Sequence, residues 1–188
     1  MEMFLSILIG LGLSAACGFR VFIPLLVMSL ASRSDVGHLA LGDGFAWIGS
    51  DAALIAFGAA TLLEIAGYYI PWVDNLLDAV ATPTAIIAGI LVSASAFTDV
   101  SPLLKWSLAI LAGGGTTAMF QGLTATARQV SSFTTGGLGN PLVATIEAGG
   151  SAILAVLAIT LPVLAILLVF GLLFIAVRRL LFRRPASA

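Results

Sequence analysis

Residues 148–177 read AGGSAILAVLAITLPVLAILLVFGLLFIAV, an unbroken run of thirty positions without one charged side chain. A bilayer hydrocarbon core roughly 30 Å thick is crossed by about 20 apolar residues in a helix, so this run is long enough to span and to bend on the way. Working outward, the same pattern recurs. Residues 3–32 hold Arg20 as their lone charge, 52–73 hold only Glu64, and 79–98 and 106–127 hold none. The runs do not alternate apolar and polar positions, as strands of a membrane barrel must. The expected fold is an all-α, polytopic transmembrane helical bundle of about five spans, forming one domain over 1–188. A break within 3–32 or 148–177 would make six.

Composition excludes the other classes. Of 188 residues 60% are hydrophobic and 9% charged, against roughly 25% charged in a soluble domain. Eight basic and nine acidic residues give a net charge of −1, which offers no field for nucleic acid. Cys17 has no second cysteine to pair with, and one histidine, His38, cannot complete a Cys/His zinc set. No cofactor is expected, and no catalytic set can be assembled, so the chain does not read as an enzyme. Glu2 stands where a signal peptide carries basic residues, so the first apolar stretch is expected to remain in the mature chain.

Basic residues near span ends orient the bundle. Arg178, Arg179, Arg183 and Arg184 follow the last run, and 178–188 reads as a basic cytoplasmic tail. With five crossings the loops of Arg33 and Lys105 fall on that side too, only Arg128 falls opposite, and the N-terminus lies outside.

Polar residues at helical spacing mark the inward faces. Thr117, Gln121, Thr124 and Arg128 lie at steps of four, three and four, behind Gly113, Gly114 and Gly115. They serve either interhelical hydrogen bonds or a polar pathway, to which Asn140 is added. Gly10, Ser14 and Gly18 form a small-residue strip for close helix packing. Arg20 follows, and Pro24 deprives the Arg20 carbonyl of its helical donor, so the first helix should be kinked or broken. A buried arginine costs about 2.5–3.5 kcal/mol on insertion scales and calls for a carboxylate, Glu64 or Glu147. Thr61, Glu64 and Tyr68 share one face of the second run. Glu64 reads as counter-ion of Arg20 or Arg128, or as a proton carrier.

Pro71 is expected to end that run, with Tyr68, Tyr69 and Trp72 as an interfacial aromatic anchor. Asp74 and Asp78 then share a helix face, as a solvated pair or as cation contacts beside Asn75; whether a metal binds is open. SSFTTGGLGNP, 131–141, reads as turn chemistry or as a re-entrant, cavity-lining segment. The spacing of Gly10–Ala15 is faintly repeated at Gly113–Ala118, a weak internal repeat of the kind many transporters contain.

Three stretches together resemble one family. They are LIGLGLSAACGFRVFIPLL, the segment from Glu64 through Ile70-Pro71, Asp74-Asn75 and Asp78 to Thr82-Pro83, and TTGGLGNP before Glu147. In this order they resemble the domain-of-unknown-function 4126 family of bacterial membrane proteins. The resemblance covers nearly the whole chain and implies a multi-span inner-membrane protein without an assigned activity. The family pattern has Asp-Lys before the Ile-Pro pair, where this chain has Tyr68-Tyr69.

The functional expectation is a small transporter or channel for an ion or small solute, with Arg20, Glu64, Arg128 and Glu147 relaying charge. Its surroundings would be the lipid bilayer, and a homo-oligomer is compatible. The alternative is a structural or accessory membrane protein whose charges only hold helices together.

Overall fold

The computed structural model describes residues 2–34, 39–42 and 44–181, without the side chains of residues 71, 72, 74, 75, 180 and 181. His38, Arg183 and Arg184 lie outside the described residues, as do the side chains of Trp72, Asp74 and Asn75. The described residues form helices and no strand. Helices α1 (Glu2–Cys17) and α2 (Phe22–Ala31) come first, followed by a short 3-10 turn and α3 (Asp51–Gly67). Next come α4 (Pro71–Ala96) and α5 (Pro102–Leu108), which runs through a π-helical turn, Ala109–Gly114, into α6 (Gly115–Thr135). The described residues end with α7 (Asn140–Thr160) and α8 (Pro162–Leu181).

The first run breaks, as Arg20 and Pro24 led one to expect, but it does more than kink. Along α1, Gly12 lies against Ala158, the Ala16 carbonyl takes the Ser151 hydroxyl, and Arg20 reaches the Ala144 carbonyl. Helix α1 is therefore antiparallel to α7. Beyond the break Met28 meets Ser95, while Leu30 and Ala31 share a cleft with Ile159 and Thr160. Helix α2 has thus turned back beside α1. At about 1.5 Å per residue, its 10 residues cover half a hydrocarbon core. Residues 3–32 form a helical hairpin rather than one crossing, and the start of α1 lies at the Arg33 end of the bundle. Pro24 falls in the first turn of α2, where a missing N–H breaks no helical bond.

The last run also breaks. Its thirty residues divide between α7 and α8, which meet at Leu161, because Pro162 cannot donate to a carbonyl one turn back. Four helical stretches are long and apolar enough to span: Leu76–Ala96, Pro102–Thr135, Asn140–Thr160 and Pro162–Arg179. Pro71 opens α4 instead of ending α3, as the N1 preference of proline allows. Asp74 and Asp78 therefore lie inside α4. The TTGGLGN loop is a turn: Gly136 adopts a left-handed φ of 63° and caps α6, and α7 starts at Asn140.

Helix α1 is the hub. Leu13, Ala15, Ala16 and Cys17 are fully buried among α4, α6, α7 and α8. Gly18 lets α6 approach, since a Cβ there would overlap the Phe120 side chain and backbone of α6. Large apolar side chains such as Leu62, Leu111, Ile153 and Phe174 face outward. Such a surface suits lipid and not water.

Candidate functional site

The hairpin turn, Gly18–Val21, ends α1 in mid-bundle, where the last carbonyls of the helix take the amides of Gly18, Phe19 and Arg20. Side chains from other helices add further donors. Thr117 donates to the Ser14 carbonyl at 2.7 Å, Ser151 to Ala16 at 2.9 Å, and Thr124 lies 3.4 Å from the Gly18 carbonyl. Ser14 in turn donates to the Gly89 carbonyl of α4. The Thr117–Gln121–Thr124 stripe thus faces the break, and its threonines are engaged in binding helix to helix. The two segments of similar spacing, around Gly10 and Gly113, both pack on Gly89 and Ser93 of α4.

On the far side of the turn the first amides of α2 need acceptors. Glu64 provides both: Val21 N–H donates to Oε1 at 2.9 Å and Phe22 N–H to Oε2 at 3.1 Å. Glu64 is a helix cap delivered from α3, whereas the sequence suggested a counter-ion. A carboxylate there also meets the positive end of the α2 dipole.

The counter-ion of Arg20 is Glu147. Its Oε2 lies 3.1 Å from Arg20 Nη2 and also pairs with Arg128 Nη2. Arg128 Nη1 continues to Asp78 Oδ1 at 3.3 Å. Charges of alternating sign therefore run Asp78, Arg128, Glu147, Arg20, with side-chain exposures of 39, 5, 5 and 2%. The chain starts near the surface and ends inside the break. Tyr68 holds it together. Both guanidiniums stack on its ring, Arg20 at 3.8 Å and Arg128 at 3.9 Å from the centroid. Expected as an interfacial anchor, Tyr68 is buried because the α3–α4 turn folds it inward under α6 and α7. Its spacing of four from Glu64 was the available signal. The capping amides had none, because any residue carries one.

Other expected positions stand apart. Asn140 is at the start of α7, bonded to Ser132 on the surface. Asp78 serves Arg128, and among the described residues no group of three or more His, Cys, Asp or Glu could hold a metal. At the opposite end Arg33 donates to the Gly49 carbonyl and pairs with exposed Asp51. The Arg33–Asp51 hydrogen bond, and then the Arg33 charge, hold the Asp51 carboxyl below the usual carboxylate range. Lys105 stands at the same end, beside Gly42.

Fold and site together define a helical membrane protein with a buried charge cluster at a broken helix. The chain belongs to the family described as domain of unknown function (DUF4126), whose model matches residues 7–181. No match was found among the curated proteins or among the solved structures.

Proposed function

We propose that this protein is a small transporter or channel for an ion or small solute, and not an enzyme. Its place is the bacterial inner membrane, with the arginine-rich C-terminus in the cytoplasm, as the positive-inside rule favours. The observation that carries the reading is the alternating chain from half-exposed Asp78 to Arg20 at a discontinuous helix. Intramembrane ionisable residues and broken helices at membrane depth are costly, and they recur where ions or solutes pass. Cys17, the one cysteine, is fully buried in the core and is not placed for chemistry. The test is solute or proton flux in proteoliposomes. Glu64→Gln and Arg20→Ala should both depress flux at matched insertion, and equal flux in all three proteins would remove the proposal.

A structural or accessory role is the second reading. It is favoured by Thr117, Thr124 and Ser151, which direct their hydroxyls to α1 carbonyls and hold the bundle closed. It expects the same variants to lower the melting temperature in detergent and alter copurifying partners without changing permeability.

A further inference from the structure

Helices α2 and α3 are fastened to each other at both ends. At the inner end Glu64 of α3 takes the Val21 and Phe22 amides of α2. At the outer end Arg33, just past α2, donates to the Gly49 carbonyl and pairs with Asp51 at the start of α3. Helix α3 packs chiefly on α2 and on the short 3-10 turn between them. The chain joins this pair to the bundle at Arg20–Val21 and at Gly67–Tyr68, and the two junctions touch, since Arg20 stacks on Tyr68. Both are held by the charge cluster, Arg20 by Glu147 and Tyr68 by Arg128. Two adjacent junctions on a fixed support make a hinge.

Far from the hinge the attachments are few. Among the described residues the hydrogen bonds from this unit to the rest of the bundle both involve Ser95 of α4. Gly42 N–H donates to its carbonyl at 2.8 Å, and its hydroxyl lies 3.4 Å from Met28 Sδ. Phe45 rests against Trp106 of α5, ring centroids 6.3 Å apart. What remains is apolar packing of α2 on α1 and α7. In lipid that packing has no hydrophobic drive behind it, because acyl chains can take the place of the side chains. Clefts already mark both seams. One of about 310 Å³ lies between α2, α3 and α4, and one of about 260 Å³ is lined by Leu30 and Ala31 of α2 and Ile159 and Thr160 of α7. The closed state also leaves polar groups unmet. Among the described residues the buried side-chain atoms without a hydrogen-bond partner are Arg20 Nε and Nη1 at the hinge, Ser29 Oγ on α2 and Thr61 Oγ1 on α3. Each such atom raises the closed state toward one in which water reaches it.

We infer that α2 and α3 form a flap that swings as one body about the Arg20–Tyr68 contact and opens at its Arg33 end. The charge chain reaches the opposite end through Asp78. The open flap gives Arg20 a second route, along the faces of α1 and α7 that α2 covers. This deepens the transport reading by naming its moving part, but it is tested by distances, without a gradient. A flap that opens without flux would count against transport alone, and flux through a protein whose flap stays shut against the flap alone.

The experiment is double electron–electron resonance between paired spin labels in lipid nanodiscs, in a Cys17→Ala background, with every label at an exposed position. Ile55→Cys with Val163→Cys spans the outer end of the flap and α8. Leu63→Cys with Leu142→Cys spans the hinge end and α7, and Leu30→Cys with Ile55→Cys lies within the flap. Minor conformers are commonly populated at about 0.1–10%, so Trp106→Ala is added to remove the ring on which Phe45 rests. The longer Ile55–Val163 distance should then gain about two- to tenfold in population, the ratio set by the attraction of one aromatic pair. The hinge and within-flap distances should stay single. If Trp106→Ala does not fold, Trp106→Leu should give a smaller gain of the same sign. An unchanged Ile55–Val163 distribution, or equal broadening at all three pairs, would overturn the flap.

Discussion

The two longest apolar runs, 3–32 and 148–177, both contain a proline and both break, yet the breaks are answered in different ways. At Gly18–Val21 the carbonyls of Ser14 and Ala16 take hydroxyls from α6 and α7, and the amides of α2 take a carboxylate from α3. At Leu161, which is 53% exposed, the bonds are local: Leu161 N–H donates to Leu157 and Ala165 N–H to Leu161. A break inside the bundle has no water to satisfy it, so distant helices must bring the partners. The break at Leu161, whose amide and carbonyl both keep partners one turn away, makes no such demand. Polar residues are accordingly concentrated on the helices around the first break, and the second is made by one proline.

The contrast can be broken or sharpened by mutation. The largest effect is expected from Glu147→Ala, which leaves Arg20 and Arg128 without their shared carboxylate. Removing one partner of a buried ion pair costs about 3–5 kcal/mol, and unfolding in detergent–denaturant mixtures should show it. A loss no greater than that of a surface substitution would mean that the cluster is hydrated. Next is Thr117→Val, which keeps shape and deletes one hydroxyl from the first break. Interhelical bonds of this kind contribute about 0.6–2 kcal/mol, and the same assay reads the change.

Pro162→Ala should matter less. A proline at a compatible first-turn position stabilises mainly by restricting the unfolded chain, by about 0.4–1 kcal/mol. A loss rivalling that of Glu147→Ala would erase the distinction between the breaks. Asp51→Asn is the smallest, since this exposed pair is screened by solvent and salt. Because the folded Asp51 carboxyl titrates below its unfolded value, its contribution is present above the ordinary aspartate range, near pH 3.9. It fades as pH falls through the folded value. Melting curves of wild type and Asp51→Asn should therefore converge only at strongly acidic pH.

Much of this was legible along the chain. The helical class and the apolar stretches from which its helices are built followed from runs of uncharged residues, because hydrocarbon penalises polar atoms position by position. The inward faces were legible where polar residues keep helical spacing, as from Thr117 to Arg128. The need of Arg20 for a carboxylate was legible as well, since a buried cation carries its cost wherever it sits.

Two matters were not. A run of thirty apolar residues does not reveal whether the chain passes through or turns back, since lipid accepts either, and the α1–α2 hairpin exists because α6, α7 and Glu64 satisfy its turn. Which carboxylate answers Arg20 was equally undecided by spacing, because Glu64 and Glu147 lie far from it in sequence. Packing settled both. Once α2 turned back, its free amides claimed Glu64, and Glu147 was left between two guanidiniums with Tyr68 beneath them. Local chemistry declares what a residue requires; only the assembled helices decide which neighbour provides it.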